Sequence, residues 1–263
     1  GGEKVKSKAA ECQRVMSKTV GSMRTLDFRL MVIGQVISIL GSALLRFALS
    51  LYVLDITGRA DVFATLFAVS NIPLILSPIG GAIADRFNRR NLMVIYDFGS
   101  SLTVMLLLWL MANGHGSVLN IGVVMVLLSI ISSMYTHSVS ASVPLLVPTD
   151  KIESANGTVS AVQAMAGVAA PILGGFLYGA WGIFTLVIIS GVAFFLSAVM
   201  EIFIRIPFEK RAQKGSFARV LSSDLKGGFL YVLKQPFIRK AMIFAALLNV
   251  ILTPLLIVGA PVV

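Results

Sequence analysis

The sequence predicts an all-α protein that crosses a membrane several times, and three observations lead there. Hydrophobic residues make up 57% of the chain and charged ones only 13%, with a mean hydropathy of +0.90, outside the range of soluble domains. Seven stretches are long and apolar enough to span a bilayer, which takes roughly 20 residues of helix. The charges are gathered into the segments between those stretches.

Taken in order, the chain opens with a basic, polar lead over residues 1–27, read as disordered and cytoplasmic. Spans follow at 28–54, 62–84, 92–112, 119–143, 155–178 and 183–204, giving a six-helix bundle over 28–206; a linker occupies 207–236 and a seventh span begins at 237. The first apolar run is too long for a signal peptide and follows a long polar segment, so no cleavable leader is expected. All but Arg46 and Arg59 of the 22 basic residues lie in or beside the lead, in the turn at 85–90, in the loop at 150–153 or in the stretch 205–240. Loops rich in lysine and arginine stay in the cytoplasm. The N-terminus and the linker are therefore placed there, in a multi-pass protein of the cell membrane. The net charge of +10 reports this topology and not a nucleic-acid partner, because the basic residues line no single amphipathic face. Cys12 is the only cysteine; it has no disulfide partner and no ligand-spaced companion.

Between the second and third spans lies Gly81-Ala82-Ile83-Ala84-Asp85-Arg86-Phe87-Asn88-Arg89-Arg90. The apolar run before it ends at Ala84 and the next begins at Asn91, so these charges form a tight turn at a membrane face. The stretch resembles the loop between helices 2 and 3 of major facilitator transporters, Gly-x-x-x-Asp-Arg-x-Gly-Arg-Arg/Lys. Gly81, Asp85, Arg86, Arg89 and Arg90 match; Asn88 replaces the second glycine. Asparagine tolerates a left-handed backbone best among the other residues, which predicts that the turn is kept. A cytoplasmic loop under the positive-inside rule explains the arginines but not the glycine-to-aspartate spacing.

Two further stretches resemble members of the same superfamily. In span five, Gly167-Val168-Ala169-Ala170-Pro171-Ile172-Leu173-Gly174-Gly175 resembles the Gly-x-x-x-Gly-Pro-x-x-Gly-Gly pattern of drug/proton antiporters, with Ala166 and Ala170 in place of two glycines. Pro171 removes a backbone hydrogen bond and the glycines admit another helix, which suits a kinked, close-packed gate; packing alone accounts for small residues equally. In the linker, Phe217, Val220, Leu221, Leu225 and Phe229 recur at helical spacing among basic residues, as in an amphipathic helix on the cytoplasmic leaflet. The run Asp224-Leu225-Lys226-Gly227-Gly228-Phe229-Leu230 resembles the linker of macrolide-efflux-type members. The other reading of this helix is an anchor to anionic lipid.

Charges inside the spans cost about 2.5–3.5 kcal/mol on insertion scales and usually face a cavity or a partner. Arg46 lies about 13 Å from the outer end of span one at 1.5 Å per residue; it either lines a substrate cavity or snorkels outwards. Asp97, grouped with the turn as part of the gate, is read either as a protonatable carboxylate or as an ion-pair partner of Arg86 or Arg89. Glu201 is four residues before Arg205, an i,i+4 pair with no further role. Gln35, Asn71, His137 and Gln163 complete the candidate cavity, each able to serve helix packing instead.

The resemblance implies the N-terminal half of a major facilitator fold plus the start of helix 7, with a C-terminal half of five more spans expected beyond Val263. It implies a secondary transporter exporting macrolide-like or other amphipathic compounds by alternating access, with small-molecule substrate, bilayer and proton as partners. A siderophore or metabolite exporter of the same architecture, and a truncated half that does not transport, stay open. No phosphate-binding loop, zinc-ligand spacing or nucleophile beside a base occurs, so neither enzyme activity, cofactor nor metal is expected.

Overall fold

The computed structural model describes residues 25–70 and 77–207, together with positions 234–237, 240, 244 and 247. The chain divides into two compact units, residues 1–211 and 212–263, and every helix named here belongs to the first. The expected linker helix at 217–229 and nearly all of the span from 237 lie outside the described residues, as does Asn71.

Helix α1 runs Thr25–Thr57 and closes on Gly58, whose left-handed backbone (φ 65°) turns its N–H onto the Leu54 carbonyl at 2.8 Å. Only glycine takes that conformation freely. Midway, Val36–Leu40 winds as a π-turn, an irregularity common at functional sites. Helices α2 (Ala60–Val69) and α3 (Ser77–Arg86) fall within or beside the second expected span. Asp61, in the first turn of α2, takes two hydrogen bonds from the exposed Arg59 guanidinium, at 3.1 and 2.5 Å. Those bonds hold its carboxyl below the usual carboxylate range. Helix α4 spans Arg89–Ala112 and α5 Val118–Leu146. A 3-10 turn, Thr149–Lys151, leads into α6, Ile152–Ile202.

A straight helix of 51 residues would be about 76 Å long, yet both ends of α6 lie in one place. Ala155 and Val159 near its start share a buried cluster with Ile204 and Ile206 just past its end. Leu177, Tyr178 and Ile183 at its middle belong to a second cluster. The chain therefore reverses at Gly182, whose backbone (φ 72°, ψ 170°) is non-helical. This divides α6 into α6a (152–181) and α6b (183–202), matching the fifth and sixth expected spans.

The same two clusters give every long helix its direction. Helix α1 runs from Met31 and Ile39 in one to Leu45, Leu49 and Val53 in the other, and α4 runs likewise from Met93 to Val104, Leu107 and Met111. Helix α5 returns, from Ile121 and Leu128 to Tyr135, Val139 and Leu146. The bundle thus alternates up and down, with the Asp85–Arg90 turn at one end and Gly182 at the other. Its outside is apolar: Leu102, Leu119 and Phe176 are more than two-thirds exposed, at 73%, 75% and 71%. Water would not tolerate such a surface, and lipid does. Four helices are long and apolar enough to cross a membrane, and the described residues contain no strand. The protein is an all-α, multi-pass membrane protein.

The Gly182 backbone lies where a Cβ is strained, at a cost of about 1–3 kcal/mol, whereas Gly179, one turn earlier, has open space around it. Gly182→Ala is expected to lower the thermal unfolding midpoint of the detergent-solubilised protein. Gly179→Ala should leave it unchanged or slightly raised, alanine being the better helix residue.

Candidate functional site

The Asp85–Arg90 turn is short and tightly bonded. Helix α3 ends with Phe87 N–H donating to the Ile83 carbonyl at 3.1 Å, and α4 begins two residues later. Arg89 folds back, donating from Nε to the Ala84 carbonyl at 3.1 Å and placing Nη2 at 3.6 Å from Asp85 Oδ1. Asp85 itself is largely exposed. Asn88 departs from the sequence expectation: its backbone is extended (φ −63°, ψ 113°), not left-handed. It is the N-cap of α4, its side-chain oxygen accepting from Arg90 N–H at 3.1 Å, a role asparagine fills as well as any residue. Arg90 Nε is buried with no partner among the described residues. A Cβ on Gly81 would meet nothing, so its contacts do not require glycine there.

Above the turn, the bundle encloses two carboxylic acids. Asp97 of α4 and Glu201 of α6b are both 0% exposed. Glu201 does not make the ion pair expected of it, and of the two readings of Asp97 the ion pair is not formed. Asp97 accepts from Ser38 Oγ at 2.5 Å, with neither Arg86 nor Arg89 paired to it, while Ser197 Oγ donates to the Gly34 carbonyl at 3.5 Å. It sits eight residues into α4, about 12 Å along the axis from Arg89, on the buried face. Glu201 accepts from Tyr135 Oη of α5 at 2.5 Å. It does not pair with Arg205, because α6 stops at Ile202 and the i,i+4 geometry stops with it; Arg205 N–H instead donates to Asp27 at 3.3 Å.

The two acids are reached from successive turns of α1, Asp97 from Ser38 and Glu201 from Gly34. One oxygen of each, Asp97 Oδ2 and Glu201 Oε2, has no hydrogen-bond partner among the described residues. Gly34 of α1 packs directly on this group: a Cβ there would stand 2.8 Å from Glu201 Oε1 and 3.3 Å from Tyr135 Oη. Ser38, which reaches Asp97, lies in the π-turn of α1.

The remaining candidates are scattered. Gln35 is buried and donates to the Val159 carbonyl at 3.2 Å, tying α1 to α6a. His137 is half-buried beneath α3, so close that a Cβ on Gly80 would stand 2.6 Å from its ring. Arg46 is half-buried, and among the described residues no carboxylate pairs with it. Gln163 is half-buried. Of the span-five motif, Gly174 packs closest, its Cβ position 3.1 Å from the Leu44 carbonyl and 3.2 Å from Phe47; Gly175 is in ordinary contact with Phe47 and Leu51, and Gly167 faces open space. Pro171 lies inside α6a without ending it. At the opposite end, Tyr178 Oη donates to Asp55 at 2.5 Å and joins α6a to the end of α1.

The model of the Major Facilitator Superfamily matches residues 31–263, which is most of the chain. The chain belongs to that superfamily. Among its curated superfamily relatives is macrolide efflux protein A of Streptococcus pyogenes, 25% identical over 193 residues, covering 69% of this chain and 45% of that protein. The multi-drug resistance efflux pump PmrA of Streptococcus pneumoniae is 28% identical over 143 residues, covering 53% and 34%. The MFS-type transporter YfiS of Bacillus subtilis is 26% identical over 180 residues, covering 68% and 42%. The matches span less than half the length of these relatives.

Gly34→Ala forces a methyl group against Glu201 and Tyr135, and overpacking of this kind costs about 1–3 kcal/mol. The substitution is expected to lower the thermal midpoint clearly, whereas Gly167→Ala, with open space around it, should not. Paired melting curves in detergent check both.

Proposed function

We propose that this bundle is the N-terminal half of a secondary transporter that exports macrolide-like or other amphipathic compounds by alternating access, driven by proton antiport. The observation that carries the reading is superfamily membership together with relatives named as macrolide and multidrug efflux proteins. Substrate would bind near the membrane midplane between this half and a second one, and the two would rock about it. The N-terminus and the Asp85–Arg90 turn would face the cytoplasm, as their basic residues favour.

In that arrangement Asp85, Arg86, Arg89 and Arg90 act at the cytoplasmic gate, with Gly81 in the helix that carries them. The Arg89 contacts with Asp85 and the Ala84 carbonyl hold the turn in shape. The exposed Asp85 carboxylate is left to meet the positive end of a helix, or a basic side chain, of the other half in one closed state. The buried face of Gly174 against α1 and the kink potential of Pro171 supply a rigid flank to that movement.

Cells expressing the full-length protein should extrude radiolabelled erythromycin, and a protonophore should abolish the extrusion. Accumulation equal to that of empty-vector cells contradicts the export reading; extrusion indifferent to the protonophore contradicts antiport. Asp85→Asn should lower the initial extrusion rate while membrane abundance stays unchanged, because an exposed ion pair contributes only about 0–1 kcal/mol to stability. A rate equal to wild type at equal abundance removes the turn from the gate.

A further inference from the structure

The acids inside the bundle have a chemistry that the turn and the span-five motif do not explain. Two carboxyls fully enclosed in a membrane protein, reached from successive turns of α1 at Gly34 and Ser38 and with no cation paired to either among the described residues, cannot both remain ionised: each buried charge costs several kcal/mol and a like charge in the same enclosure adds to it. Among the described residues, helix α1 contributes Ser38 and the backbone at Gly34, whose carbonyl accepts from Ser197 of α6b, and α5 contributes the Tyr135 hydroxyl. No lysine, arginine or histidine of the described residues pairs with either acid. Tyr135 and Ser38 are donors, and each already serves one oxygen. The second oxygen of each acid is buried without a partner among the described residues, which costs an ionised carboxylate more than a neutral carboxylic acid.

We propose that Asp97 and Glu201 form a proton-binding site, in which the pair holds at least one proton while α1 seals it and exchanges that proton with solution at the Asp85–Arg90 end when α1 moves. Two features make α1 the seal. Ser38 sits on the π-turn, where the regular ladder of hydrogen bonds is already broken. Gly34 brings the α1 backbone against Glu201 with no side chain between. A modest shift of α1 would withdraw Ser38 from Asp97 and uncover both acids. The role of this proton in transport rests on the antiport reading above; the site itself does not.

The test is infrared spectroscopy of the full-length protein reconstituted in liposomes, read at the C=O stretch of protonated carboxyl groups and titrated with pH. At neutral pH the wild type is expected to show such a band; it should weaken in Asp97→Asn and in Glu201→Gln and be lost in the double variant. These amides keep the acceptor for Ser38 or Tyr135, and unchanged helicity and melting confirm the fold. Tyr135→Phe, which removes only a donor, should shift the band without abolishing it. A band identical in wild type and the double variant, or none in either, overturns the site. An imposed pH gradient should drive erythromycin into inverted vesicles with wild type and fail to do so with either amide variant. If wild-type transport follows the gradient but the band ignores both substitutions, the site falls and antiport stands. If the band behaves as expected and wild-type transport ignores the gradient, antiport falls and with it the proposed coupling role of the pair.

Discussion

The bundle depends on polar contacts made where no water can replace them. Lipid tails are as apolar as leucine, so burying an apolar side chain between helices gains little over leaving it in the bilayer; close packing and interhelical hydrogen bonds decide which helices associate. Ser38 to Asp97 joins α1 to α4, Tyr135 to Glu201 joins α5 to α6b, and Gln35 to Val159 joins α1 to α6a. Ser101 adds a bond at 2.9 Å from α4 to the Gly191 carbonyl of α6b. Helices α1 and α6b each take part in two of these pairs, and the Gly34 contact joins them to each other, so the rest converge on these two.

Glycines make that convergence possible. At Gly34 the approach is to a carboxyl oxygen, at Gly174 to the Leu44 carbonyl, and at Gly191 to the Met105 sulfur at 3.0 Å. Each lets one helix lie against another at a distance that a Cβ would prevent. The result is a bundle held stiffly through its centre, with its charges displayed on a tight turn at one end. Such a body is suited to move as a unit against a second one, and the two buried acids lie within it, on the side towards that turn.

Much of this was legible in the sequence. Span lengths and the gathering of charge into loops located the described helices to within a few residues, because the thickness of a bilayer fixes the length of an apolar run and tolerates few charges inside it. The fold class follows from the same constraint. The interior was harder to read. Asp97 stood out as a charge within a span and was read either as a protonatable carboxylate or as a partner of Arg86 or Arg89; the helix carries it eight residues past Arg89 and turns it to the core. Glu201 was matched to Arg205 by helical spacing, a rule that fails when the helix ends between them. Tyr135 carries no signal of its own in the sequence, being one polar residue among several on its helix. Nothing in a sequence marks Gly34 as the point of closest approach, since that depends on which helices become neighbours. Asn88 kept the turn by capping a helix, and a substitution table based on backbone freedom does not anticipate this.

The central claim is that the chain crosses the membrane between the Asp85–Arg90 turn and the loop joining α4 to α5, with the turn inside the cell. Single cysteines at Asn88 and at the exposed His115, introduced into the full-length protein with Cys12→Ser, measure this directly. A membrane-impermeant thiol reagent applied to intact cells should label His115→Cys at once and Asn88→Cys only after permeabilisation. Labelling of Asn88→Cys in intact cells, or equal reactivity of the two positions, would contradict the orientation and the gate assigned to the turn.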